Sequence, residues 1–202
     1  MPDAAAGALM TPRLVLLPAT IASLEAELLS PRALGEVLDA DVPESWPPEL
    51  YDADAVRWTI GWLQANPQAA SWCMYYIALA APLDRGRARL VGICGYKGAP
   101  DASGVVEVGY GVLAEERRRG YAREAVRELI TRAFADPGVR EVVAHTLPEL
   151  TPSIGVLQTI GFSLDGPGSD PYEPSAIRFV LTRAVYEASL PARSDLTIAP
   201  RP

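Results

Sequence analysis

The sequence predicts a mixed α/β domain, with strands and helices sharing one mixed sheet, and three observations carry that prediction. The run Val105 to Phe134, VVEVGYGVLAEERRRGYAREAVRELITRAF, starts with apolar residues at period two and ends with apolar residues at helical spacing. It therefore reads as a strand, a short loop and a helix. A second strand-like run, Val139 to Thr146, follows that helix, and strands joined through a helix lie parallel. Upstream, Trp72 to Ala80 and Arg89 to Tyr96 are joined by the polar turn PLDRGR, which makes them antiparallel neighbours. With 202 residues, 49% of them hydrophobic, one domain over residues 1–190 is expected, followed by a tail over 191–202.

Residues 1–10 are small and featureless and read as a loose arm. Thr11 to Pro18, TPRLVLLP, is an apolar strand ended by proline. Thr20 caps a helix running to about Leu29, and Ser30-Pro31 supplies a cap and a first-turn proline for the next helix. The segment Asp41 to Asp52, DVPESWPPELYD, is a proline-broken loop. Asp52 or Asp54 then caps a helix through Ala65 that Asn66-Pro67 closes. Lys97 to Gly104 is a hairpin connection rich in turn residues, leading into the central strand. On that strand Val106, Val108, Tyr110 and Val112 share one face. The helix after it buries Ala122, Ala125, Val126, Leu129, Ile130, Ala133 and Phe134, and stops at Asp136-Pro137-Gly138. Ser153 caps a helix ending before Gly161-Phe162, Asp165 to Pro174 is a glycine–proline loop, and Ala176 to Leu181 is the last strand. The tail from Pro191 is expected to be mobile.

The loop between central strand and helix has the chemistry of an anion site. Gly120 lets a backbone approach a ligand closely, and the first N–H groups of the helix lack intrahelical partners. Such an end favours phosphate, and Arg117, Arg118, Arg119 and Arg123 add cations at the same place. The surrounding chain is acidic, with a net charge of −7 and a pI near 4.8, so nucleic acid is excluded as a partner and a cationic amine is favoured. The letters Gly109-Tyr110-Gly111-Val112-Leu113-Ala114 also match a dinucleotide fingerprint. That fingerprint must end a strand and open a helix, whereas here the strand alternation continues through Val112 and the helix opens after Gly120.

The run EVGYGVLAEERRRGYAREA resembles motif A of the GNAT N-acetyltransferase superfamily, with Arg117, Gly120 and Ala122 on its core pattern. Glu107 to Tyr110 upstream and Ala122, Glu124 and Ala125 downstream make it most similar to the RimJ/RimL branch. The resemblance implies six or seven strands in a mixed, mostly antiparallel sheet splayed between two parallel strands, with helices on both faces. It implies that residues 117–123, Tyr121 and Ala122 included, hold the pyrophosphate of acetyl-CoA. The backbone around Tyr110 and Val112 would pair with the pantetheine arm, and an N–H near Val112 would serve the oxyanion. An amine, from a protein N-terminus or a small molecule, would attack the thioester directly. Glu107 is the implied base, although strand parity puts it opposite Val106 and Val108 unless a bulge turns it; the alternative is a solvated glutamate. Ser153, a helix cap or a hydroxyl near the thiol, or else an ordered water, is left as the acid, because Leu157 stands where many members carry tyrosine. Leu150 likewise replaces an expected asparagine and Pro152 a small residue, which keeps open a non-catalytic acyl-CoA-binding module. By the same resemblance Trp46 and Tyr51 touch substrate or are simply apolar anchors. A homodimer is compatible with it.

His145, the only histidine, reads as a half-buried structural imidazole. Cys73 and Cys94 lie in apolar runs without metal-ligand spacing, so buried thiols, no metal and no catalytic role are expected. MPDAAAGA lacks the basic start and apolar core of a secretory leader, and the run through Trp72 to Ala81 is too short to span a membrane. A cytoplasmic protein is expected.

Overall fold

Alternation along Val105–Val112 produces the strand its period requires, and the rest of a nine-stranded sheet is laid against it. The computed structural model describes residues 7–80, 86–168 and 174–190. In chain order the elements are β1 (Leu9–Met10), β2 (Leu14–Pro18), α1 (Ile21–Leu29), α2 (Pro31–Leu38), β3 (Ala40–Asp41), α3 (Ala53–Ala65), β4 (Met74–Leu79), β5 (Ala88–Tyr96) and β6 (Val105–Val112). Then follow α4 (Tyr121–Ala135), β7 (Glu141–Thr146), α5 (Thr151–Ile160), β8 (Ser163–Pro167), β9 (Ile177–Thr182) and α6 (Arg183–Ser189). The sheet order is β1-β2-β4-β5-β6-β7-β9-β8, with the two-residue β3 beside β5. Only β6–β7 and β3–β5 are parallel, as the helix between β6 and β7 requires.

Period two sends successive side chains of each strand to opposite faces, and each face builds its own core. Tyr75 and Ile77 of β4 join Val106, Val108 and the apolar side of α4 on one face, with Leu157 of α5. Tyr76 and Ala78 pack on the other, against Leu24, Leu34 and Val56 of α1, α2 and α3. The sheet is thus covered by helices on both sides.

The predicted caps form. Thr20 Oγ1 accepts from Ser23 N at 3.1 Å while Ser23 Oγ accepts from Thr20 N at 2.9 Å, a reciprocal capping box. Ser30 caps α2, and Asp52 Oδ1 accepts from Asp54 N and Ala55 N to cap α3. Several boundaries move. Leu9 and Met10, expected in a loose arm, pair with β2, and β2 starts only at Leu14 because the Thr11 side chain binds Leu14 N and bends the chain there. Residues 67–72 form a 3-10 turn, so β4 starts at Met74. Part of the expected 165–174 loop is strand β8, whose alternation is hidden because Ser163, Leu164 and Asp165 are all exposed. The tail from Pro191 and most of the PLDRGR turn lie outside the described residues.

Candidate functional site

Strands β6 and β7 pair at only three positions, Val105 with Glu141, Val106 with Val142 and Glu107 with Val143. β6 continues to Val112 against β5 alone, so a slot opens between β6 and β7 immediately beyond Glu107. Lys97 N donates to Glu107 O and Leu113 N donates to Val91 O, which fixes the edge that these residues present to β5. Alternation then turns the peptide N–H and C=O groups of Val108, Tyr110 and Val112 to the slot. The Tyr110 ring crosses the helix side of this slot, its hydroxyl 3.0 Å from both Ser153 O and Ser153 Oγ. Burial pushes the Tyr110 phenol up to about 12, against the lowering effect of the Ser153 bond. Ser153 does not cap α5 as expected. Pro152 fits the first turn of a helix, so α5 begins at Thr151 and Ser153 sits inside that turn, with its hydroxyl spent on Tyr110.

The slot leads to the turn before α4. Gly120 is its N-cap in the left-handed region (φ 81°), and Arg118 precedes it at φ 62°. Glu124 N is the first to find the helix, donating to Gly120 O at 3.0 Å, which leaves the N–H groups of Tyr121, Ala122 and Arg123 as free donors of the first turn. No side chain caps them. The dinucleotide pattern at Gly109–Ala114 lies on β6 and on a 3-10 turn at Ala114–Glu116, not at a helix start.

The arginines divide. Arg117 donates to Val112 O at 3.3 Å and to Glu49 Oε2 at 2.7 Å. Arg119 lies 3.4 Å from the buried carboxylate of Glu116. Arg118 and Arg123 are exposed, with no hydrogen-bond or ion-pair partner among the described residues. Sequence reasoning missed Arg13, which donates to Glu124 Oε2 at 2.6 Å and to Arg119 O at 3.0 Å and lies over the Tyr121 ring. Burial works to raise the Glu124 carboxyl, but the bonds from Thr11 and Arg13 outweigh it and hold the group below its ordinary value.

Glu107 stays on the face opposite Val106 and Val108, because β5 and β6 pair without a bulge. That face is not plain solvent there. Lys97 Nζ stands 2.6 Å and His145 Nδ1 3.0 Å from Glu107 Oε1, and neither contact has the angle of a directed hydrogen bond. His145 therefore has the carboxylate neighbour that the sequence did not reveal. The three side chains line a recess of about 370 Å³ together with Asp101, Val143 and Arg178. Arg178 is itself paired with Asp165 and Glu141.

The loop before α3 covers the same face. Pro48 lies over Gly111, Ser45 Oγ donates to Glu115, and Glu49 holds Arg117. Trp46 and Tyr51 are its anchors rather than open contacts: both are buried and both donate to Glu27, as does Tyr76. Cys73 and Cys94 are buried and free, and burial pushes both thiols up. Among the described residues no group of His, Cys, Asp and Glu could hold a metal ion, and no helix is long and apolar enough to cross a membrane.

Comparison with known proteins identifies a family and a fold. The family model described as Acetyltransferase (GNAT) domain matches residues 13–163. The chain is 32% identical over 77 residues to the uncharacterized N-acetyltransferase p20 of Bacillus licheniformis, a match covering 38% of this chain and 43% of that protein. The chain thus spans less than half the length of that curated relative. Among solved structures it is similar to an acetyltransferase from Agrobacterium tumefaciens str. C58, with a TM-score of 0.59 and 24% identity over 87% of this chain and 94% of that one. It is also similar to Mycobacterium smegmatis RimJ in complex with CoA-disulfide, with a TM-score of 0.55 and 21% identity over 85% and 82%. At such identities the two structures speak for the fold.

Proposed function

Because the chain belongs to the GNAT acetyltransferase family, we propose that it moves an acetyl group from acetyl-CoA to a primary amine by direct attack, without an acyl-enzyme. The observation that carries this reading is the alignment of a bare helix end with an open strand edge. Free donors at Tyr121, Ala122 and Arg123, with the cations of Arg118 and Arg123, which are unpaired among the described residues, suit a diphosphate. From there the outward peptide groups of Val112, Tyr110 and Val108 run about 13 Å down β6, at about 3.3 Å per residue, and end one residue short of Glu107. An amide-bearing arm can pair with those groups as a strand would, delivering a thioester to the foot of the slot.

Acetyl-CoA supplies the activated acyl group; the chain supplies position and proton transfer. Glu107, flanking the slot on the recess side, takes the proton of the attacking amine. The outward N–H of a β6 residue faces the developing oxyanion, as a fixed dipole in a shielded slot should. Ser153, with its hydroxyl shared with Tyr110, stands on the helix side to protonate the leaving thiolate. Because positioning of bound reactants supplies roughly 7–11 kcal/mol, the leucine at position 157 leaves room for turnover. Protein or peptide N-termini and small amines are the acceptor classes, and the acidic charge of the chain suits either.

Thiol release from acetyl-CoA, measured over a panel of amines and N-terminal peptides, tests the reading. Release that depends on the amine and falls roughly 10²- to 10⁴-fold in Glu107→Gln is the expected result. Tight binding of acetyl-CoA with no release for any acceptor would instead mark a non-catalytic acyl-CoA-binding module.

A further inference from the structure

The chain carries eighteen cationic Lys and Arg side chains, and reading along it shows that Lys97 is the only lysine. That one amine stands 2.6 Å from Glu107, the carboxylate next to the point where β6 and β7 part. The placement follows from the sheet: β5 ends at Tyr96 opposite Val108, so the next residue, Lys97, lies across from Glu107 on the recess face. Its side chain is half exposed and rises from the start of the hairpin connection, a stem with reach. Arginine could make the same ion pair, but its delocalised guanidinium cannot act as a nucleophile at neutral pH, whereas an amine can.

We propose that Lys97 occupies the position of the acceptor amine and is itself acetylated from acetyl-CoA bound in the slot. The inference rests on the acetyl-transfer reading above, and it names an acceptor that is already in place. The Lys97 ammonium first gives one proton to Glu107, and the Nζ lone pair so freed attacks the thioester carbonyl, forming a C–N bond as the C–S bond breaks. The second proton that Nζ loses on becoming an amide goes to the departing thiolate, which leaves as the coenzyme A thiol. No other reactant is needed. Acetylation converts the ammonium to a neutral amide, so the pair with Glu107 is lost while the enlarged side chain stays in the recess. An external amine then meets a recess already filled, and the modification limits turnover.

The test is intact-mass spectrometry of the full chain incubated with acetyl-CoA alone, followed by peptide mapping. A gain of one acetyl group at Lys97 is expected, slowed at least about 10²-fold by Glu107→Gln, slowed by excess coenzyme A, and absent in Lys97→Arg. Equal labelling of the heat-denatured chain, or labelling that coenzyme A does not slow, means chemical acetylation only and overturns the proposal without any variant having to fold. An unmodified Lys97 in protein that releases thiol with external amines overturns self-acetylation and leaves the transfer reading standing. Calorimetry showing no acetyl-CoA binding overturns both.

Discussion

Glu27 is the residue on which the helical cap of the sheet turns. Its carboxylate accepts from Trp46 Nε1 at 2.7 Å, Tyr76 OH at 2.8 Å and Tyr51 OH at 3.2 Å. Burial raises its pKa above the ordinary carboxylate value, and the three donors only partly offset that rise. A raised pKa means the folded state holds a proton that the unfolded chain has released, so stability falls as pH climbs through the window above 4.5. Glu27→Gln is expected to remove that slope, and Glu27→Ala to leave buried donors unanswered at about 1–3 kcal/mol each; urea denaturation at several pH values measures both. Single residues were also where the sequence was least legible. The helix-end glycine and its arginines announce themselves in one contiguous run. Arg13, Lys97 and the His145 neighbour do not, because each meets its partner across strands or from the far end of the chain.

Among the elements, the turn into α4 carries the most sequence information and the sharpest expectation. Gly120 sits at φ 81°, where an L side chain costs roughly 1–2 kcal/mol. An added Cβ there meets only the ends of Arg13 and Arg123, at 3.4 and 3.6 Å, so crowding inside the protein is slight. Gly120→Val should therefore leave a folded protein of slightly lower stability while weakening coenzyme A binding at least tenfold, as read by calorimetry. Unchanged affinity would remove the turn from the binding site. The helices capped by Thr20, Ser30 and Asp52 were legible because a short polar side chain before an apolar run has one good use. Strand β8 was not, since both its faces meet solvent and no period survives. α5 starts at Thr151, before the Ser153 cap that the sequence suggests, because proline at position 152 is at home in a first helical turn.

At the scale of the whole molecule, an acidic protein keeps a cationic turn in working order by fastening part of it to its own carboxylates. Arg117 is held by Glu49 and Arg119 by Glu116, and the first of these ties the loop before α3 to the turn proposed to hold the diphosphate. Because the Glu49 pair is exposed it is worth at most about 1 kcal/mol, and Glu49→Gln is expected to tighten coenzyme A binding two- to fivefold, an advantage that added salt should erase. A looser complex in that variant would mean Glu49 holds the loop for the ligand instead of competing with it. The mixed sheet and its covering of helices followed from periodicity and connectivity, but the length over which β6 and β7 part could not, because it depends on register.

That short register divides the sheet mechanically. Six strands on one flank, counting β3 beside β5, and three on the other are joined along β6 and β7 by three residue pairs, so the seam beyond Glu107 is where the sheet is least tied together. A ligand arm hydrogen-bonded to β6 would act as a missing strand and stiffen the seam. Amide hydrogen exchange at Val108, Tyr110 and Val112 should then slow when coenzyme A is added, while the amides of Gly109 and Gly111, already turned to β5, change little.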